Sequence, residues 1–342
     1  MARVTIIDIA RESGKSYTTV SRALSDHPRI SIETKVLIRA TATRLGYSPN
    51  MMAKGLVQKR TQTIGLIATE LSNPVRSELI EALRRQVHAS GYQLLVSGYQ
   101  DEDELSSRIR DMAGRQVDGL IIGKITGVVE KKDFWPALEA ALKQDIAVVT
   151  FSNATSVCVD CLCIDYVAMA RKLTEHFIRK HGFRNIWYLG VDRNTIRQRG
   201  YFAAMQAAGL ESAKRLFLLP AQDMQTARDA IGDLLQHESK PQAILCHNDI
   251  TAIGVMNGLR QCGYSVPEDI AVAGIDNHQI SSFFNPALTT AGVASERVAG
   301  AMMKLLEARL GHNHQSPAVA VHLPFETYYR ESCGCCCANE EE

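Results

Sequence analysis

Hydrophobic and polar positions alternate in two different textures along the chain, and the change falls near residue 60. In the first texture, apolar residues recur at helical spacing in short runs. Ile6, Ile9 and Ala10 share one face of a first helix, Gly14 supplies a turn, and Ser16 caps a second helix whose Val20, Ala23 and Leu24 face inward. After the loop SDHPR, Ser31 caps a third helix running to about Leu45, with Val36, Ala40 and Leu45 as its apolar positions. Residues 46–50 break the pattern. Asn50 can cap one more helix, MMAKGLV, too short to hold together in water without a partner.

From Thr63 the second texture begins. The apolar runs TIGLIA, QLLVSG, GLIIG and IAVVTF alternate with amphipathic helices over about 75–90, 104–115 and 133–143. A second series follows, in which helices over about 166–180, 195–208, 223–236 and 250–261 alternate with NIWYLG, RLFLLP, AILCHN and IAVAGI, before a last helix at about 295–310. Strands apolar on both faces, each followed by a helix, predict parallel sheets covered on both sides. Two such series predict two Rossmann-like subdomains behind an all-α head.

The head has the form of a helix-turn-helix, whose second helix would enter the major groove with its N-terminal residues leading. Tyr17, Thr18 and Arg22 point away from Val20 and Leu24 and are the candidates for reading base edges; Arg22 can donate two parallel hydrogen bonds to guanine. Thr5, Ser16, Thr19, Ser21, Ser31 and Asn50 are placed for phosphates, which position a protein without reporting sequence.

Charge sharpens this division. The 342 residues carry a net charge of only +1, but the first 60 hold eleven basic and four acidic residues. A basic head on a slightly acidic body is expected where only the head meets a polyanion. The N-terminus lacks the apolar run of a signal peptide and no window suits a membrane span, so a cytoplasmic location is expected. The nine cysteines then read as free thiols. Cys161 and Cys163 share one face of a strand while Cys158 faces the other way, which makes a poor metal site. The ending ESCGCCCANEEE, residues 331–342, is rich in cysteine and could bind a soft metal or oxidise, but it reads first as a flexible, acidic tail. His312 and His314 are a weak metal lead, and neither metal nor cofactor is assigned.

Ligands of open parallel sheets bind beyond the carboxyl ends of the strands. The polar residues there are Ser72, Asn73 and Arg76 in the first series, with Thr126 a weaker candidate. In the second they are Asp165, Asp192, Arg193, Asn194, Thr195, Arg197, Asn248, Asp249, Asp276 and Asn277. The two sets would face each other across a cleft, a common setting for a small molecule.

The segments TIIDIARESG, SYTTVSRAL, RISIET, LGYSPN and TIGLIATELSNP together resemble the LacI/GalR family of bacterial transcription repressors, and the resemblance runs the length of the chain. It implies a DNA-binding domain over 1–47, a hinge helix and linker over 48–62, and a periplasmic-binding-protein-like core over 63–330. Within that core the first subdomain would comprise about 63–179 and 293–318, and the second about 181–290 and 320–330, with crossings near residue 180, near Thr289 and Thr290, and near Ala318. It further implies a homodimer on a near-palindromic operator, built through the 75–90 helix, with Leu56 as a wedge in the minor groove. Gly55 departs from the family and weakens the hinge helix by about 1 kcal/mol relative to alanine. By the same resemblance Arg197, in R-x-x-G, grips the ligand, and Asn248, Asp249, Asp276 and Asp165 are cleft polar residues. Val75 and Arg76 replace the aromatic pair usual after Ser-Asn-Pro. With Arg193, Arg197 and Arg199 nearby, Arg76 biases the cleft positive, so a sugar acid or sugar phosphate is the expected effector.

A transport solute-binding protein on the same fold would need an export signal and no DNA-binding head. An enzyme would need a phosphate loop, a nucleophile turn or an H-E-x-x-H metal pair, and the sequence contains none of these.

Overall fold

The computed structural model describes residues 4–48, 60–69, 71, 73–123, 133–151, 159–191, 195–211, 215–310 and 317–335. The chain forms two compact units, 1–61 and 62–342. Asn50, Gly55, Leu56, Ser72, Thr126, Cys158, Asp192, Arg193, Asn194, His312 and His314 lie outside the described residues.

The first unit packs α1 (Ile6–Ser13), α2 (Tyr17–Leu24) and α3 (Ile32–Leu45) around Ile9, Val20, Ala23, Ile38 and Ala42. Each helix begins at a hydroxyl that accepts a backbone N–H: Thr5 from Asp8, Ser16 from Thr19, and Ser31 from Thr34. Such a cap contributes about 1 kcal/mol over alanine. Gly14 and Gly46 close α1 and α3 in the left-handed conformation. The inward face of α3 differs from the expected one. Ile38, Thr41 and Ala42 are buried, whereas Val36 is 62% exposed and Ala40 is on the surface.

The second unit contains two six-stranded sheets. The first runs β11-β5-β4-β3-β1-β2, where β1 is Thr63–Ala68, β2 Gln93–Gly98, β3 Gly119–Ile122, β4 Ala147–Phe151, β5 Asp160–Ile164 and β11 Ala320–Leu323. All its pairings are parallel. Helices α4 (Pro74–Ala89) and α11 (Ser295–Arg309) cover one face, over Ile64, Leu66, Ile121, Val149 and Leu162. Helices α5 (Glu102–Gly114) and α6 (Phe134–Leu142) cover the other, over Ile67, Leu120, Ile122 and Val148. Successive strand residues therefore feed opposite layers, so the central strands β1, β3 and β4 are almost wholly apolar along their length.

The second sheet runs β12-β10-β9-β8-β6-β7, where β6 is Ile186–Gly190, β7 Leu216–Leu218, β8 Ala243–Cys246, β9 Ala271–Ile275, β10 Thr289–Gly292 and β12 Glu326–Tyr328. Only β12 is antiparallel. Helices α7 (Tyr166–Arg179) and α8 (Ile196–Ala207) pack on one face, and α9 (Met224–His237) and α10 (Asp249–Gln261) on the other.

Three boundaries differ from expectation. Helix α7 packs on α8 and on β8, β9 and β10, so the chain crosses between lobes at Asp165 rather than near residue 180. Strand β11 pairs with β5 of the first sheet, which places the last crossing at 324–325 and not near Ala318. The segment read as a flexible tail from residue 331 is built into the second lobe as far as Cys335: Ser332 and Cys333 are buried in a short 3-10 turn, and the Ser332 hydroxyl donates to Val272 O and accepts from Thr289 N.

A buried ion pair fixes the first lobe's edge. Asp160, 3% exposed, accepts two hydrogen bonds from the Arg309 guanidinium at 2.8 and 2.7 Å and a third from Val319 N at 2.9 Å, tying β5, α11 and the approach to β11 together.

Candidate functional site

In the head, Tyr17, Thr18 and Arg22 stand exposed on α2, and no apolar contact of the head core uses them. The hydroxyls of Thr5, Ser16 and Ser31 already accept cap hydrogen bonds, and Ser16 also pairs with the Thr19 hydroxyl at 2.8 Å. The helix N-termini they cap present further backbone N–H groups, the usual donors to phosphate. Ser21 is half-buried on the same helix. The loop after α2 is held by Asp26, whose carboxylate meets Lys35 at 3.1 Å and Arg39 at 2.8 Å. Its pKa is lowered by these cations, the Lys35 hydrogen bond first.

Between the two lobes of the second unit lies a cleft of about 440 Å³, open to solvent. Leu79, Phe151, Ile164, Met169 and Val298 give it an apolar floor, and Arg76, Tyr166 and Asp276 give it polar walls. A second hollow of about 410 Å³ shares Arg76 and runs under β1 and β3 at the point where strand order reverses in the first sheet, lined by Thr69 and Gly123.

The polar wall is built around Arg197. One Nη donates to Asp276 Oδ1 at 2.5 Å, the other donates to the His247 carbonyl, and the guanidinium lies 4.5 Å from the centre of the Tyr166 ring. Side-chain exposures of 12% and 13% make Arg197–Asp276 a nearly dry pair. The aim of Arg197 follows from close helix packing: a Cβ on Gly200, one turn further along α8, would stand 2.1 Å from Val167 O of α7. Only glycine lets the helices approach so far, which brings Arg197 over Tyr166. Asp276 has φ of 127° and Asn277 of 53°, conformations that residues with side chains rarely adopt and that accumulate at binding sites.

The remaining sequence candidates separate into different roles. Asp165, Thr195 and Asn248 accept from the third backbone N–H of α7, α8 and α10, so each starts a helix at the cleft rim. Asn73 contributes its carbonyl to the first turn of α4. Asp249 is fully buried and accepts from Thr290 Oγ1 at 2.6 Å, His278 N at 2.7 Å and Ser281 Oγ at 2.8 Å. It fastens the loop after β9 to β10 and is not open to a ligand. A Cβ on Gly274 would lie 2.3 Å from Asp249 Oδ1, so the carboxylate also needs that glycine. Burial, then the charge of Asp276, pushes the Asp249 carboxyl up to about 6 against those three hydrogen bonds.

Sequence reasoning missed Tyr166, Phe151, Glu78 and His278. Tyr166 was within reach, since it directly follows Asp165 at the end of an apolar strand. Glu78 and His278 were not: Glu78 Oε2 on α4 lies 3.7 Å from His278 Nε2 and 3.5 Å from Gln279 N, a contact across the cleft between residues 200 apart in sequence.

Residues 5–50 match the model of bacterial regulatory proteins of the lacI family, and residues 174–333 match a periplasmic binding protein-like domain. The HTH-type transcriptional repressor PurR of Pectobacterium carotovorum is 30% identical over 328 residues, 93% of this chain and 94% of that protein. The chain belongs to the lacI family. Catabolite control protein A of Priestia megaterium is 29% identical over 336 residues, covering 96% of this chain and 99% of that one. Among solved structures, the Lac repressor dimer bound to operator and an anti-inducer superposes with a TM-score of 0.83 at 21% identity, covering 97% and 99%. Transcription regulator GntR from Chromobacterium violaceum does so with 0.71 at 25%, covering 79% and 99%. This lacI-family chain is therefore a DNA-binding transcriptional regulator with an effector-binding domain, and its relatives are regulators rather than enzymes. Among the described residues, no helix is long and apolar enough to cross a membrane.

Proposed function

We propose that this lacI-family protein represses transcription as a homodimer on a near-palindromic operator, and that an anionic carbohydrate, a sugar acid or sugar phosphate, sets its affinity for DNA. The observation that carries the anionic reading is Arg76. It lines both hollows of the cleft, and no carboxylate among the described residues pairs with it. Arg197 is already neutralised by Asp276, so the charge that Arg76 brings is the one a bound anion would meet. A guanidinium fork suits carboxylate and phosphate, while the Tyr166 ring and the Asp276 carboxylate suit a sugar face and its hydroxyls.

Arg22, Thr18 and Tyr17 read bases in this proposal, and the paired heads supply the affinity that one head lacks. Effector closes the lobes, and the residue 48–62 connector transmits that closure to the heads; couplings of this kind are worth about 1–3 kcal/mol. Calorimetric titration with sugar acids, sugar phosphates and their neutral parents tests the ligand class, and a gel shift with the DNA upstream of the chain's own gene tests the operator. Anions should bind and Arg76→Leu should weaken them at least tenfold. Tight binding of neutral sugars alone, unaffected by R76L, refutes the anionic reading.

A further inference from the structure

The far end of α7, away from the cleft, meets the last described residues of the chain. Gly334 has φ of 86°, a left-handed turn that lets Cys333 and Cys335 both approach His176 in the last turn of α7 and His181 in the loop before β6. Nε2 of His176 lies 3.2 Å from Nε2 of His181, 3.4 Å from Cys335 Sγ and 3.7 Å from Cys333 Sγ, and Cys335 Sγ lies 3.6 Å from His181 Nε2. One ligand atom from each of the four residues falls within 4.8 Å of all the others.

Hydrogen bonding alone does not account for this crowding. The Cys333 thiol has an acceptor outside the cluster, Arg330 O at 3.2 Å, but the Nε2 of His176 is approached by three groups, and an imidazole nitrogen is either one donor or one acceptor. A cation at the centre satisfies all four groups at once. A tetrahedral zinc ion, about 2.3 Å from sulfur and about 2.0–2.1 Å from nitrogen, sets ligand atoms apart by about 3.3 Å (N to N), about 3.6 Å (N to S) and about 3.8 Å (S to S). The four closest separations already have that order and nearly those lengths, and the remaining two pairs lie within 4.8 Å.

The rings are held in place before any ion arrives. His176 stacks on Tyr329 at 4.0 Å and 23°, and His181 stacks on Phe183 at 5.2 Å and 17°. The turn carrying the thiols is anchored through buried Ser332 and through Glu331, which accepts from Ala287 N at 2.8 Å. Residues 176 and 181 have the H-x4-H spacing of structural zinc sites; the C-x-C pair is shorter than usual, which the left-handed glycine permits.

We propose that His176, His181, Cys333 and Cys335 form a closed tetrahedral zinc site that staples the 329–335 segment to the end of α7. On binding, two thiols lose their protons to solvent and both imidazoles stay neutral, so the dication and two thiolates sum to zero charge. A neutral centre is what a half-buried site tolerates at little cost. Two soft thiolates with two imidazoles select zinc over calcium or magnesium. The site lies about 15 Å along α7 from Tyr166, so it is separate from the cleft and serves stability rather than ligand recognition. The reading of residues 331–342 as a flexible end, with no metal assigned, is thereby replaced as far as Cys335; Cys336 and Cys337 lie outside the described residues.

The test uses the full chain, free of any polyhistidine tag and grown with zinc supplied. Atomic emission should find about one zinc per chain after exhaustive dialysis. Exchange for cobalt(II) should give the intense visible bands of a tetrahedral ion together with thiolate charge transfer. C333S/C335S should abolish both signals, and C336S/C337S should keep both. A wild-type chain that holds no zinc, or whose cobalt spectrum is that of a six-coordinate ion without sulfur, overturns the proposal, as does loss of metal only in C336S/C337S. The wild-type cobalt spectrum decides the matter even if a variant does not fold.

Discussion

Arg197→Met is the sharpest test of how the cleft is held. The substitution keeps an unbranched side chain against Tyr166 but leaves the Asp276 carboxylate without its cation at 2.5 Å and the His247 carbonyl without its donor. Asp276 cannot simply swing away, because its side chain is 13% exposed and its backbone is fixed at a φ of 127°. Removing one partner of so dry a pair costs about 3–5 kcal/mol. Asp276→Asn alone costs less, since Arg197 retains His247 O and the Tyr166 face. In the double variant R197M/D276N no charge is stranded, while the His247 carbonyl is as bare as in R197M. The double variant is therefore expected to be more stable than R197M, with a coupling energy of about 2 kcal/mol or more. The chain has two tryptophans, and in a Trp135→Phe background the buried Trp187 reports the second lobe alone during urea unfolding. Additivity of the single changes to within about 0.5 kcal/mol would refute the reasoning.

Three further outcomes follow from other parts of the molecule. The Asp249 carboxyl is raised to about 6 in the fold from its ordinary value of 3.8, so its favourable contribution is complete below the unfolded value and is lost as pH rises through 6; relative to D249N, wild type should therefore lose stability between pH 4 and pH 7, and a pH-independent difference in urea midpoints would contradict this. Arg309→Met strands Asp160 beneath α11 and should cost about 3–5 kcal/mol, whereas the Arg85→Met change at the exposed Glu296 pair should cost under about 1 kcal/mol; equal effects in denaturation would show that burial is not what matters. Arg22→Ala should flatten the preference at one operator base pair by about 1–3 kcal/mol, read by competition gel shift, and an equal loss on every duplex would reassign Arg22 to a phosphate.

Much of the fold was legible because the sequence repeats one device. Each apolar run of the core is a strand, buried on both faces except at the sheet edges β2 and β7, and each amphipathic stretch is a helix whose ends fall within about two residues of expectation. Failures occurred where local pattern carries no direction. The third head helix has apolar residues all round, with Ile32, Val36 and Leu37 exposed, so its period could not say that Ile38 and Ala42 face inward. Strand β5 followed by α7 reads the same whichever sheet the helix then covers. The site was legible at Arg76, Arg197 and Asp276, which stand just past strand ends. It was not at Asp249, whose partners Ser281 and Thr290 are more than thirty residues away. At Cys333 and Cys335 the sequence offered thiols that could take a soft metal, but not their histidine neighbours, which are more than 150 residues upstream.

Among the described residues, the chain passes between the two sheets at Asp165, at Val293 and Ala294, and at Pro324 and Phe325. Three tethers of one or two residues restrict how far one half can slide or twist over the other. The motion least opposed by such tethers is a bend that opens or shuts the cleft, so the resting angle of that bend is what a ligand in the cleft would act on. Engineering a new response in this protein then reduces to changing the resting angle of that bend, which lengthening one tether by a single residue would do without altering any side chain that touches ligand.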